Sequence, residues 1–216
     1  MTHPMPFSQA LRERTRSVHE QSEGSSFVQE LMAGDGSRDD YVAMLAQHYF
    51  IYRALENGAL TMAADPVASL FLSPELDRLP AIEADLAFLL GPDWAGRIAP
   101  LPSTARYAAR IDEVGESWPG GFVAHHYTRY LGDLSGGQII RTILQRQYGF
   151  GSEGVGFYAF PGIAKPKAFK DAYRARLDAV DWPEDERDRV VAEVGRAFRF
   201  NTDLFVDLAR AKSAAA

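Results

Sequence analysis

The chain has 216 residues, 46% of them apolar and 24% charged, with no cysteine and a formal net charge of −6. That length supports one domain with a substantial core, and the balance is that of an ordinary globular protein. The missing cysteines exclude disulfides, thiolate metal ligands and thiol nucleophiles, and the acidic balance gives no electrostatic footing for nucleic acid.

In chain order, long patterns with a 3.6-residue period alternate with Gly, Pro and Ser punctuation, and no period-2 strand series stands out. Ser8 is placed to cap a first helix over residues 8–31, with Leu11, Thr15, Val18 and Ser22 on one face. After a loop at Gly34-Asp35-Gly36, Ser37 and Asp40 form a capping-box pattern for a second helix reaching about residue 64. Ser73-Pro74 opens a helical region that Pro80 interrupts and Gly91-Pro92 ends. A helix over residues 104–116 and a turn at Trp118-Pro119-Gly120-Gly121 precede a helical pattern over residues 123–144, which ends near Gly149. A Gly- and aromatic-rich connector spans residues 151–162. Helices over 166–179 and 182–211 close the chain. The expectation is an all-α fold in one domain of residues 1–216, folded from about 7 to 210. No stretch nears the roughly 20 apolar residues of a membrane span, and residues 1–14 lack the apolar run of a signal peptide. A cytoplasmic protein without membrane attachment is expected.

The histidines are His3, His19, His48, His125 and His126. None has Glu three residues before it, which excludes the Glu-x-x-His pairs of di-iron bundles, and no HExxH zinc motif occurs. A single-His haem site stays open. On the first helix Arg12, Arg16, His19 and Glu23 form one stripe. Arg12 lies about 10 Å along the axis from His19, about the reach from a haem iron to its propionates. Glu23 is placed to accept a hydrogen bond from His19 and fix its ring. The competing reading is a mixed-charge surface stripe. His48 abuts the apolar face of the second helix and reads as a satisfied core histidine.

The helix over 123–144 carries three interior glycines, Gly132, Gly136 and Gly137, each costing roughly 1 kcal/mol relative to Ala. Gly132 and Gly136 share a face and bare the backbone there, with Asp133 at its edge. Such a ridge suits a large flat ligand that approaches the main chain closely; the other reading is a kinked core helix. Leu134-Ser135-Gly136-Gly137-Gln138 matches the signature peptide of ABC-type ATPases. Those also need a GxxxxGK[ST] phosphate loop, and no Gly-Lys pair exists in this chain.

The longer run Tyr127-Thr128-Arg129-Tyr130-Leu131-Gly132-Asp133-Leu134-Ser135-Gly136-Gly137-Gln138 resembles the distal-helix signature of haem oxygenases. The segment from Arg14 to Glu23 resembles their proximal segment. Tyr49-Phe50-Ile51-Tyr52, Arg106-Tyr107 and Phe169-Lys170-Asp171-Ala172-Tyr173-Arg174 extend the likeness to roughly residues 7–210. Arg12 stands where animal members often carry Lys, and the connector after Gly149 differs in length.

The resemblance implies haem as both cofactor and substrate, held between the first helix and a kinked glycine-rich distal helix, with O2 as co-substrate. The products would be biliverdin, CO and ferrous iron, with cleavage at the α-meso carbon. It makes His19 the iron ligand and sets Arg12, Tyr127, Lys170 and Arg174 on the propionates. Asp133 would donate a proton through an ordered water, anchored by Thr128, Arg129, Tyr52, Tyr107 and Asn201. Gly132 and Gly136 would steer the oxygen, and Phe205 would lie against the haem. It implies a monomer served by an electron donor such as a ferredoxin or flavin reductase. His125 and His126 would not ligate iron. The alternative is a non-catalytic haem carrier or sensor, which has no need of Asp133 and its network.

Overall fold

A computed structural model describes residues 5–215, and among these the regular structure is helical throughout. His3 lies outside the described residues. Where one long first helix was expected, the chain forms α1 (Phe7–Arg14), α2 (Arg16–Glu23) and α3 (Ser26–Ala33). The breaks have local causes. Thr15 turns its hydroxyl back onto the Leu11 carbonyl at 2.8 Å, an alternative partner that Ser and Thr offer the backbone. Gly24 ends α2 and extended Ser25 starts α3. Ser8 does not cap α1; its backbone N–H and its hydroxyl both donate to Asp178, at 2.7 and 3.0 Å. The expected face survives the breaks, with Leu11, Thr15 and Ser22 buried.

The capping box predicted for the second helix is complete. In α4 (Arg38–Met62) the Asp40 N–H donates to Ser37 Oγ at 3.0 Å, and the Ser37 N–H donates to Asp40 Oδ2 at 2.7 Å. Ser73-Pro74 opens only a short 3-10 turn, and Pro80 lies in the first turn of α5 (Leu79–Leu90) instead of interrupting a helix. Proline is tolerated there because the first-turn N–H groups have no intrahelical acceptor.

Beyond it come α6 (Pro102–Ser117) and α7 (Pro119–Tyr148). Pro119 at its first position starts α7 four residues before the expected boundary, so Gly120 and Gly121 belong to the helix and not to a turn. The helix runs through all its glycines to Gly149, which closes it at φ 69°. The connector carries a 3-10 turn at Gly156–Tyr158 before α8 (Pro166–Ala179) and α9 (Glu184–Ala215).

One apolar core runs from Phe7 on α1 to Leu208 on α9. Helices α4 and α6 cross closely because Gly58 and Gly115 meet there: a Cβ on Gly115 would sit 3.1 Å from the Gly58 Cα. Fully buried Tyr41, Tyr52, Phe71, Tyr107, Phe122 and Phe157 fill the interior, each apolar side chain contributing about 1.5–3 kcal/mol. Helices α2 and α9 pack together facing α7, and a cleft opens between α2 and the glycine stretch of α7.

Candidate functional site

The cleft has two lobes that meet at the α7 glycines. The inner lobe, about 490 Å³, is lined by His19, Met44, His48, Arg129, Asp133, Ile140, Tyr158, Asn201 and Phe205, among others. The outer lobe, about 510 Å³, takes in Arg12, Arg16, Tyr127, Ser135 and Arg174. His19, Glu23, Thr128, Gly132, Gly136 and Phe198 line both. Each volume falls within the roughly 300–1,000 Å³ usual for cofactor sites. A groove of about 600 Å³ along Gln21, Ser25, Thr202 and Arg210 is more open and gathers no comparable set of polar groups.

The glycine ridge faces this space. A Cβ added to Gly132 or Gly136 would meet nothing within 4 Å, whereas one on Gly137 would strike the Tyr158 ring at 2.8 Å. The first two glycines therefore bare the backbone to the cleft, and the third lets the connector pack against the helix.

His19 sits across the cleft from the ridge, its side chain 46% exposed. Phe198 of α9 packs edge-on against its ring, with centroids 5.0 Å apart. Glu23 contacts the ring as expected, but through Nε2, with Oε1 at 3.3 Å. His125 and His126 point elsewhere. His125 Nε2 pairs with Glu193 Oε1 at 2.9 Å and His126 Nδ1 with the Tyr173 hydroxyl at 2.9 Å, both deep in the core.

Asp133 accepts a hydrogen bond from the fully buried Tyr52 hydroxyl. Burial pushes its carboxyl well above the ordinary carboxylate range, which favours the protonated form. Arg129 Nη1 donates to Asn201 Oδ1 at 2.9 Å, and its guanidinium stacks 5.1 Å above the Tyr52 ring.

Two expected members of the Asp133 network stand apart from it. Thr128 gives its hydroxyl to the Ala124 carbonyl at 2.8 Å, completing a bond within α7. Tyr107 lies outside both lobes, stacked on Phe200 with centroids 4.9 Å apart, its hydroxyl without a protein partner.

The outer lobe is basic. Lys170 Nζ donates to Ser135 Oγ at 2.8 Å, and Arg174 Nη1 to Asp171 Oδ1 at 3.1 Å. Burial raises the Tyr127 phenol, while Arg174 and Arg12 nearby act the other way. Phe205 lines the inner lobe and stacks on Phe27, with centroids 6.4 Å apart.

Three lining groups had escaped the sequence reading. His48 is buried but not satisfied, since neither ring nitrogen has a protein partner. Phe198 carried no signal beyond its apolar period. Tyr158 belongs to the connector, whose length alone gave no position. Asp85 of α5 fixes that connector by accepting from the N–H groups of Gly156 and Phe157, at 3.0 and 2.7 Å. Arg78 donates to the carbonyls of Phe157 and Ala159 on the same turn.

Comparison with known proteins covers nearly the whole chain. The sequence model of the family described as Heme oxygenase matches residues 5–207. Heme oxygenase 1 of Homo sapiens is 41% identical over 208 residues, which is 95% of this chain and 72% of that one. The heme oxygenase of Rhodella violacea is 36% identical over 92% of this chain and 85% of its own. The crystal structure of heme oxygenase-1 from Synechocystis in complex with heme superposes with a TM-score of 0.90. It is 32% identical, over 98% of this chain and 97% of that one.

Proposed function

The chain belongs to the haem oxygenase family, and we propose from that premise which residues of the cleft carry the reaction. The protein degrades haem with O2 and electrons to biliverdin, CO and ferrous iron, so haem is both its cofactor and its substrate.

The cleft fits such a group on its own evidence. It offers a slot with a bare backbone ridge on one wall, one imidazole on the other, apolar side chains within and basic ones at the mouth. When bound there, haem supplies the site at which O2 is activated and the carbon skeleton that is opened. The chain's own residues bind, orient and move protons.

In this reading His19, on the wall facing the glycine ridge, would hold the haem iron through an imidazole nitrogen. Glu23, 3.3 Å from its Nε2, and the edge-on Phe198 ring would orient that imidazole. Gly132 and Gly136 would let the flat ligand lie against the backbone of α7, and that close approach would favour reaction at one meso carbon, the α position. Arg12, Lys170, Arg174 and the Tyr127 hydroxyl would hold the two propionates, through charge-assisted bonds that would fix rotation in the slot. Asp133, its carboxyl raised by burial and held by Tyr52, would store a proton on the α7 wall of the cleft and give it up through water. Arg129 and Asn201 brace Tyr52 from behind. Thr128 contributes helix geometry at the ridge, and Phe205 closes the inner wall. Tyr107 packs behind the cleft, against Phe200 and His125.

The basic rim supports an acidic electron donor such as a ferredoxin, or a flavin reductase. We further propose that the protein acts as a cytoplasmic monomer in which residues 1–216 form one domain. No helix among the described residues is long and apolar enough to cross a membrane.

The observation that carries this reading is the open ridge facing His19, with the carboxyl of Asp133, bonded to Tyr52, beside it. A non-catalytic carrier needs the slot but not that carboxyl. The test is His19→Ala. It should retain haem in the apolar slot and lose turnover at least 100-fold, with added imidazole restoring part of it. Unimpaired turnover without imidazole would remove His19 as the ligand.

A further inference from the structure

The inner lobe holds more polar capacity than the protein itself satisfies. Both ring nitrogens of His48, the Tyr158 hydroxyl and the Nε of Arg129 are buried without a protein partner, and all three residues line this lobe. A polar atom left unpaired in the interior costs about 1–3 kcal/mol, and the great majority of such atoms in folded proteins have partners. Four on one cavity wall, brought together from α4, α7 and the connector, call for bonding to something within the lobe. A cavity of this size with converging donors and acceptors is suited to water.

His48 is held for such a task. It is 5% exposed, and its ring lies edge-on to Tyr52 (centroids 6.3 Å, 77°) and beside Phe157 (5.3 Å). Tyr52 is the same residue that bonds Asp133. The charged and titratable groups facing the lobe from each neighbouring element are Asp133 and Arg129 of α7, Tyr158 of the connector, and His19 and Glu23 of α2, with Tyr52 of α4 bonded to Asp133 from behind the lining. Burial and the Arg129 charge push the His48 imidazole well below its ordinary range, so it stays neutral, with one N–H to donate and one lone pair to accept.

We propose that His48 is a positioning residue which, together with Tyr158, holds ordered water beside Asp133. Each proton that Asp133 gives up is replaced by relay through that water, which passes one proton to the carboxylate as it takes one from solvent hydronium and so stays neutral; no electron moves in this step. The kinetic part of the proposal rests on the haem oxygenase reading, whereas the water site belongs to the haem-free protein.

The experiment has two arms. In a high-resolution crystal structure of the haem-free protein, water should lie within about 3.2 Å of a His48 ring nitrogen, and it should be lost in His48→Leu. A dry His48 in the parent overturns the proposal. In the second arm, His48→Leu should lower kcat for haem about five- to tenfold while leaving the haem Kd within twofold. His48→Gln, which keeps a donor and an acceptor, should recover at least half of the parent rate. A purely packing role would instead let Leu match the parent and make Gln the worse variant, and that order also overturns it. Should His48→Leu fail to fold, the parent structure and His48→Gln still decide. If the parent itself turns over no haem, the family reading fails while the crystallographic arm still stands.

Discussion

At the residue scale, Asp133 is the proposed proton store, and its environment makes a prediction that needs no haem. Burial lifts its carboxyl above the value it has in the unfolded chain. Ionising it therefore opposes folding as pH rises through the folded value, and below the unfolded value of about 3.9 no penalty remains. Asp133→Asn removes this titration. Thermal melts of the haem-free variant should show a gain of a few degrees over the parent at pH 8, shrinking toward pH 3. An equal gain at both pH values would contradict the buried-carboxyl account. The place of Asp133 on the cleft was legible in the sequence because it sits in a run of twelve consecutive matching positions, next to the paired glycines of one helix face. His48 was not, because a lone histidine on an apolar helix face looks the same whether or not its nitrogens find partners. Thr128 misled for the opposite reason: its hydroxyl has an acceptor four residues back in its own helix, and spacing does not reveal which bond wins.

At the scale of the element, α7 carries two glycines proposed to meet the ligand and one against which the connector packs. The two uses should separate on mutation. Gly132→Ala and Gly136→Ala place a methyl group in open space, so each should stabilise the haem-free protein by about 1 kcal/mol through helix propensity. That corresponds to roughly 2–4 °C in Tm at this chain length. Both should weaken haem binding at least tenfold, read by Soret titration. Gly137→Ala should do the reverse and destabilise, since its methyl meets the Tyr158 ring at 2.8 Å. Unchanged haem affinity in both ridge variants would show that the backbone there is not a contact surface. The helical content, the capping box at Ser37 and the order of elements were readable from period and punctuation. The breaks at Thr15 and Gly24 were not, because the amphipathic stripe continues across both, and only tertiary packing fixes the angles between short helices. Pro80 and Pro119 misplaced two boundaries, since proline stops a helix in its interior but opens one in its first turn.

For the whole molecule, the frame that holds the cleft is tied by a buried cluster remote from it. Glu193 of α9 accepts from His125 of α7 at 2.9 Å and from Arg110 of α6 at 2.8 and 3.0 Å. Burial works to raise its pKa, but the bonds from His125 and Arg110 prevail and hold it at about 2. A depressed carboxylate stabilises the fold fully above its unfolded value of about 4.3, and that contribution is lost as pH falls toward the folded value. Glu193→Gln should therefore cost about 3 kcal/mol at pH 7, and the gap to the parent should close between about pH 4.3 and 2 in denaturant titrations. A gap independent of pH would remove the ion pair from the account. The cluster could not be read in the sequence, because its members lie 15 and 68 residues apart and share no motif.

The central claim is that the ridge, His19 and Asp133 together degrade haem instead of only holding it. One measurement bears on it most directly: a turnover of the haem-loaded protein with ascorbate as reductant, its products separated by chromatography, run for the parent and for Asp133→Ala. The parent should give biliverdin as a single isomer. Asp133→Ala should bind haem with a Kd within about threefold of the parent, yet form biliverdin at least tenfold more slowly, the lower end of what a positioned proton donor contributes. Biliverdin at the parental rate from Asp133→Ala, or none from the parent, would contradict the account.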